Sequence, residues 1–381
     1  MKRQWAAAIL MALALQGTAE AAPAPLQIRV VVVTTFEFAP DGPNAGGEFH
    51  NWVQRYPLPV ELPFPQGHRA LRYNAQDHVL GIVTGVGKAQ AAASIMALGL
   101  DPRFDLRKAY WILAGIGGID PNRASLGSAA WARHIVDGDL AYEIDAREMP
   151  ADWPVGIVAY DRATPFEQPA PPAASDNGVL AYDLNAALAS WAFDLTRDLV
   201  LADGDKLRAA RAAYREQPEA QRPPFVLLGD TLTADRFWIG ARMNDWAEKW
   251  VAYWTRGAGR FTTSAEEDSA YLQALTMLAG AGRADPARAL DLRTGSDYSM
   301  PPPGTPPAEL LKSEATGNYA AYDAAIENAY VVGSAVVREL ARNWARHEAQ
   351  IPGSPAAHAE ACTSPSIKNN KQGADKTNPL C

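Results

Sequence analysis

The chain has 381 residues and carries 35 Lys and Arg against 43 Asp and Glu, a formal net charge of -8. A mildly acidic protein lacks the basic face that nucleic acid requires, which excludes nucleic acid as a partner. The 2 cysteines, Cys362 and Cys381, and the 6 histidines show no metal-ligand spacing, so neither a metal nor a cofactor is expected.

In chain order, Lys2 and Arg3 precede an apolar stretch over residues 5–15 that ends in Ala19-Glu20-Ala21-Ala22-Pro23. A charged start, a short apolar run and small residues at a cleavage point read as a signal peptide over 1–22, so the expected location is periplasmic or secreted. Residues 23–350 show no long linker and read as a single α/β domain, followed by a polar, flexible tail over 351–381. No segment after the leader reaches the ~18 apolar residues a membrane span needs, so no stable membrane insertion is expected. The longest candidate, 324–340, carries Glu327, Asn328, Arg338 and Glu339 and reads as an amphipathic helix.

Within the body, strand and helix patterns alternate. Residues 28–34 form a β-branched run suited to a buried central strand. A second strand over 79–84 leads through Gly85-Val86-Gly87-Lys88 into a helix over 89–100, an order that presents backbone N–H groups to anions, although the motif fits neither the dinucleotide nor the P-loop spacing. The strand at 110–113 ends in Ala114-Gly115-Ile116-Gly117-Gly118, glycines that suit close approach to a ligand or a tight crossing. Asp137-Gly138-Asp139 reads as a turn with glycine at positive φ. Further strands over 225–228 and 289–293 run into Gly229-Asp230-Thr231 and Thr294-Gly295-Ser296-Asp297. Trp246, Trp250 and Trp254 recur on one helix face and read as core. Glu266-Glu267-Asp268 opens an alanine-rich helix, where acids also serve as caps, and Asp297 follows a strand. Both fall on the face where open sheets bind ligands.

These ordered motifs, from Gly85 through Gly118, Gly127, Gly229-Asp230-Thr231 and Glu266-Glu267 to Ser296-Asp297, resemble nucleoside phosphorylases and methylthioadenosine/adenosylhomocysteine nucleosidases. The wider context is closer to the purine nucleoside permease family: Thr35-Phe36-Glu37-Phe38, Gly46-Gly47-Glu48-Phe49, Gly117-Gly118-Ile119-Asp120-Pro121, Val136-Asp137-Gly138-Asp139-Leu140 and Arg293-Thr294-Gly295-Ser296-Asp297-Tyr298. The resemblance implies a three-layer sandwich with a central mixed, twisted sheet of nucleoside phosphorylase-like type, and a purine nucleoside as partner. Members of the wider fold pair subunits, which leaves a homodimer or higher homo-oligomer open.

The same resemblance implies roles. Asp297 matches the acid that protonates purine N7, and Glu267 matches the carboxylate that holds the ribose hydroxyls. Glu266, Gly117, Gly118 and Ser296 belong to the same substrate-binding set, as do Asp230, Thr231 and Leu232 on the base side. Phosphorylases bind phosphate through an arginine and a serine where this chain has Ile112 and Gly115. Hydrolytic members activate water with a glutamate after the first strand, for which Glu48 and Glu37 are the candidates, Glu48 favoured. The implied function is purine nucleoside binding with hydrolysis of the N-glycosidic bond. The alternatives are a non-catalytic binding component of uptake, or a phosphorylase in which Lys88, Arg133 or an arginine of a neighbouring subunit serves phosphate.

Overall fold

Four valines in a row, Val30 to Val33, place alternate side chains on opposite faces of a strand, and both faces are covered. In the computed structural model, which describes residues 24–39, 46–175, 178–316 and 319–354, Val30 and Val32 pack with Trp52, Leu188 and Val336. Val31 and Val33 pack on the other side with Ile95, Tyr271 and Leu275. A strand buried on both faces needs helices on both, so the two-residue period of the strand dictates the three layers. Residues 1–22 and both cysteines lie outside the described residues.

The central sheet has 12 strands: β1 (Val30–Thr34), β2 (Val60–Leu62), β3 (Leu71–Asn74), β4 (Val79–Val83), β5 (Tyr110–Ile119), β6 (Ala129–Trp131), β7 (His134–Asp137), β8 (Ala181–Asp183), β9 (Val226–Leu228), β10 (Asp230–Thr233), β11 (Phe261–Ala265) and β12 (Ala289–Tyr298). The main path runs β8-β7-β10-β11-β5-β1-β4-β3-β2, and β12 branches from β5 to pair with β6, which in turn pairs with β9. Parallel pairs β1 with β4, β1 with β5 and β5 with β12 sit beside antiparallel β5 with β11, so the sheet is mixed.

One helical layer holds α1 (His50–Arg55), α3 (Ala186–Thr196) and α8 (Tyr322–Arg342), and the other holds α2 (Lys88–Leu100) and α6 (Asp268–Gly280). The helix expected near 324–340 is α8, with Val332, Val336 and Leu340 fully buried. The remaining α-helices among the described residues are α4 (Asp205–Arg211), α5 (Ala241–Trp254), α7 (Pro307–Glu314) and α9 (Trp344–Ala349). On α5, Trp246, Trp250 and Trp254 are core, and Trp250 Nε1 donates to Asp137 O at 2.8 Å.

Two strands are longer than their sequence pattern suggests. β5 continues through Gly115, Gly117 and Gly118 to Ile119, and β12 continues to Tyr298 with a register shift between Gly295 and Asp297. The glycines do not break β5. They let it pass close to its neighbours, since a Cβ on Gly117 would lie 2.4 Å from Ser264 O. Asp297 is therefore not on a loop past a strand but inside β12 at a bulge, which re-aims its side chain. Gly138 is not among the positive-φ glycines. Its constraint is packing, because a Cβ there would sit 2.8 Å from Leu232 Cδ2.

Candidate functional site

The carboxyl-terminal ends of β5, β11 and β12 and the loops after β1, β4 and β10 enclose a cavity of about 360 Å³. Glu48, Gly117, Gly118, Glu266, Glu267, Ser296 and Asp297 line it, so seven of the expected positions converge. Asp230, Thr231 and Leu232 do not reach it. Asp230 turns inward and accepts from Arg133 N, His134 N and Arg260 N at 3.0, 2.8 and 2.7 Å, clamping three backbone segments. Thr231 hydrogen-bonds Thr263 and Asp291 beneath the cavity, and Leu232 is core. On that side the wall is instead Ala234, Arg236, Phe237 and Trp238, the segment after β10.

Glu48 and Glu37 separate cleanly. Glu37 accepts from Gly47 N at 2.6 Å, His50 N at 2.9 Å and Phe38 N at 3.1 Å, so it ties the turn ahead of α1 and stands off the cavity. Glu48 lines the cavity and accepts from Thr35 N at 2.7 Å, Thr35 Oγ1 at 3.0 Å and Ile116 N at 2.7 Å. These donors fix its rotamer. Burial pushes its carboxyl above the ordinary range, against the pull of Arg293. A fixed carboxylate of raised basicity is suited to take a proton from water.

Arg293 escaped the sequence reading as a site residue. Its guanidinium is 1 % exposed and forks onto Asp268, with Nε to Oδ1 at 2.9 Å and Nη2 to Oδ2 at 2.8 Å. Nη2 also donates to Glu267 Oε2 at 2.8 Å, and Nη1 donates to Ile116 O at 2.8 Å while lying 3.8 Å from Glu48 Oε1. Gly115 makes the meeting sterically possible, since a Cβ there would be 2.5 Å from Glu48 Oε1 and 2.6 Å from Arg293 Nη1. The signal available in sequence was Asp291 and Arg293 two apart in an otherwise apolar strand, hence on one face.

Asp297 is 7 % exposed, and burial raises its carboxyl to about 6 although Ser296 Oγ donates to it at 2.6 Å. Near neutrality such a group exchanges its proton readily. Glu267 holds the N-cap position of α6 without capping it. Its Oε1 accepts from Gly87 N at 3.0 Å, its Oε2 meets Arg293, and burial lifts it to about 7. Glu266 also lines the cavity and, among the described residues, accepts no hydrogen bond from the chain.

The start of α2 bears on phosphate. At Gly87, which has φ 85°, Gly87 N donates to Oε1 of the cavity-lining Glu267 at 3.0 Å, and beside it Lys88 N donates to Asp235 Oδ1 at 2.7 Å, so the chain's own acids already occupy both donors. Lys88 Nζ pairs with Asp137 at 3.0 Å and Asp139 at 2.8 Å. Arg133 does not line the cavity, and Arg236, which does, pairs with Asp139 and Glu143 at 3.4 and 3.1 Å. At the mouth, Phe36, Phe38 and Tyr322 form an aromatic rim, with the Phe38 and Tyr322 rings stacked at 6.5 Å.

Comparison with known proteins places these features in a family. The family model described as purine nucleoside permease matches residues 27–352. A probable purine nucleoside permease of Schizosaccharomyces pombe is 35% identical over 287 residues, covering 74% of this chain and 80% of the relative. The purine nucleoside permease of Candida albicans is 30% identical over 298 residues, covering 77% and 71%. Among solved structures, a 5′-methylthioadenosine/S-adenosylhomocysteine nucleosidase of S. pneumoniae aligns with a TM-score of 0.49 at 15% identity, covering 82% of this chain and 100% of that one. On the strength of the family match and the two fungal relatives, the chain belongs to the purine nucleoside permease family.

Proposed function

We propose that the protein binds a purine nucleoside and hydrolyses its N-glycosidic bond. The observation that carries this reading is the ownership of the site's charges: acids of raised basicity line the cavity, while the cations and helix-start donors that phosphate would need are paired within the chain. Strong oxyanion binding calls for free charged donors. Water needs only an acceptor.

In this mechanism Asp297 holds a proton at the base and transfers it toward N7 as the glycosidic bond lengthens, so the purine leaves neutral. Glu48, fixed by Thr35 and Ile116, takes a proton from the water that attacks the sugar carbon as it gains oxocarbenium character. Glu266, which accepts no hydrogen bond from the chain among the described residues, takes the ribose hydroxyls, with Glu267 as its neighbour locked to Arg293. Gly117 and Gly118 let the base lie against the backbone of β5.

A second reading, binding without cleavage in nucleoside uptake, is favoured by the names of the fungal relatives. No helix among the described residues is long and apolar enough to cross a membrane, so in that reading this chain supplies the binding step. Purified protein incubated with adenosine, inosine and guanosine, with and without phosphate, discriminates the two. Free base and free ribose in phosphate-free buffer are expected. Binding without base release supports the uptake reading, and ribose-1-phosphate as major product rejects hydrolysis. We place the mature protein outside the cytoplasm on the character of residues 1–22, and amino-terminal sequencing of exported protein tests this.

A further inference from the structure

Ser264, Gly118 and Asp297 lie abreast on β11, β5 and β12, since Gly118 pairs with Ser264 on one side and, past the bulge in β12, with Asp297 on the other. All three line the cavity. Gly118 puts no side chain between its neighbours. A Cβ there would lie 2.5 Å from Ser264 Oγ and 3.3 Å from Asp297 Oδ2, so the hydroxyl and the carboxyl oxygen approach one point above the β5 backbone. The other carboxyl oxygen, Asp297 Oδ1, already accepts from Ser296. Of the remaining hydroxyls on the cavity wall, Thr35 donates to Glu48 Oε2 and Tyr322 to Gly46 O. Ser264 Oγ makes no hydrogen bond among the described residues, and nothing in the mechanism above uses it.

We propose that Ser264 is a specificity-determining residue that reads the substituent at C6 of the purine, an inference that rests on a purine nucleoside occupying the cavity. Two oxygens that converge on one point cannot flank a purine from opposite sides, so both face the same edge of the base. On the edge that carries N7, the other polar group is the C6 substituent, an oxygen acceptor in 6-oxopurines and an amino donor in adenine. With Asp297 at N7, Ser264 stands at C6. The other neighbour of N7, the apolar C8, lies toward the sugar, and the sugar end is marked by Glu48 on Ile116 N, two residues back along β5 from Gly118. A hydroxyl can either donate or accept, so Ser264 donates to O6 or accepts from N6. The site therefore takes 6-oxo and 6-amino purine nucleosides alike. It disfavours a purine with hydrogen at C6, which leaves the hydroxyl without a partner.

The test compares Ser264→Ala with wild type on inosine, adenosine and purine riboside, whose C6 carries only hydrogen, by calorimetric affinity and by the initial rate of base release. The melting temperature should be unchanged, because Ser264 Oγ holds no other part of the chain. Affinity for inosine and for adenosine should each fall about five- to tenfold, the worth of one net hydrogen bond, while purine riboside binds both proteins equally. The kcat/KM values should follow the same pattern. Equal losses for all three ligands would make Ser264 a shaping residue of the wall and overturn the proposal. It is overturned as well by no loss for any ligand, or by a loss confined to inosine or to adenosine, which would mean a hydroxyl held in one sense. If wild type binds inosine without releasing hypoxanthine, hydrolysis is the reading that fails, and the affinities alone decide the role of Ser264. If wild type binds none of the three, the purine nucleoside reading fails and this inference falls with it.

Discussion

At the scale of single residues, the site divides its carboxylates into those that hold the chain together and those left for a ligand. Glu267 is committed to Gly87 N and Arg293, and Glu37 to the turn before α1, whereas Glu266 and Asp297 present free acceptor capacity to the cavity. Asp297→Asn is expected to slow base release by about 10² to 10⁴-fold with an unchanged circular-dichroism spectrum, the usual worth of general acid help. Glu266→Gln should weaken nucleoside far more than free base in calorimetric titration, and equal losses would return the ribose role to Glu267. Glu267→Gln should instead lower the melting temperature, because a buried arginine loses part of its counter-charge. Of these residues, the acids at 266, 267 and 297 were legible in sequence by motif order. Arg293 was not, because a lone arginine in a strand pattern looks like an exposed edge position until the partner helix supplies Asp268.

The strands show why glycine runs mislead at the scale of elements. Gly115, Gly117 and Gly118 read as the end of a strand, at a close approach to a ligand or a tight crossing, because glycine is costly inside a strand. In β5 each is retained where another group presses in: the Glu48 and Arg293 pair, Ser264 O, and Ser264 Oγ with Asp297. Groups distant in sequence, on Glu48, Ser264, Arg293 and Asp297, set that need, so no local window contains it. Gly115→Ala should therefore cost about 1–3 kcal/mol as overpacking. It should also separate Glu48 from Arg293 and cut turnover more than affinity, read as a fall in kcat with little change in KM. By contrast β1 and α8 were recoverable, because burial on both faces or on one stripe writes its own period into the chain.

Taken as a whole, the molecule stores protons in its interior. Asp297, Glu248, Glu267 and Glu314 rise from 3.8 or 4.5 to about 6, 7, 7 and 8, each with burial as the largest cause. A folded-state pKa above the unfolded value means that the native state binds more protons in between, so stability falls as pH rises from about 4 to about 8. Asp101, Asp105 and Asp203 are shifted down, so their contribution is lost below about pH 4. The melting temperature should peak in mildly acidic buffer, and a maximum above pH 8 would contradict this assignment of buried acids. The filled donors at the start of α2 have a different consequence, one of chemical choice. Asp235 and Glu267 occupy the backbone N–H groups that an anion would use as its seat, so on the proposed hydrolytic reading they act as resident competitors that keep phosphate from replacing water. Vacating the outer half of the seat with Asp235→Ala should make the protein responsive to orthophosphate, seen as a melting temperature that climbs with phosphate in the variant and stays flat in the parent. A hydrolase of this design would then stand one side chain away from exchanging water for phosphate.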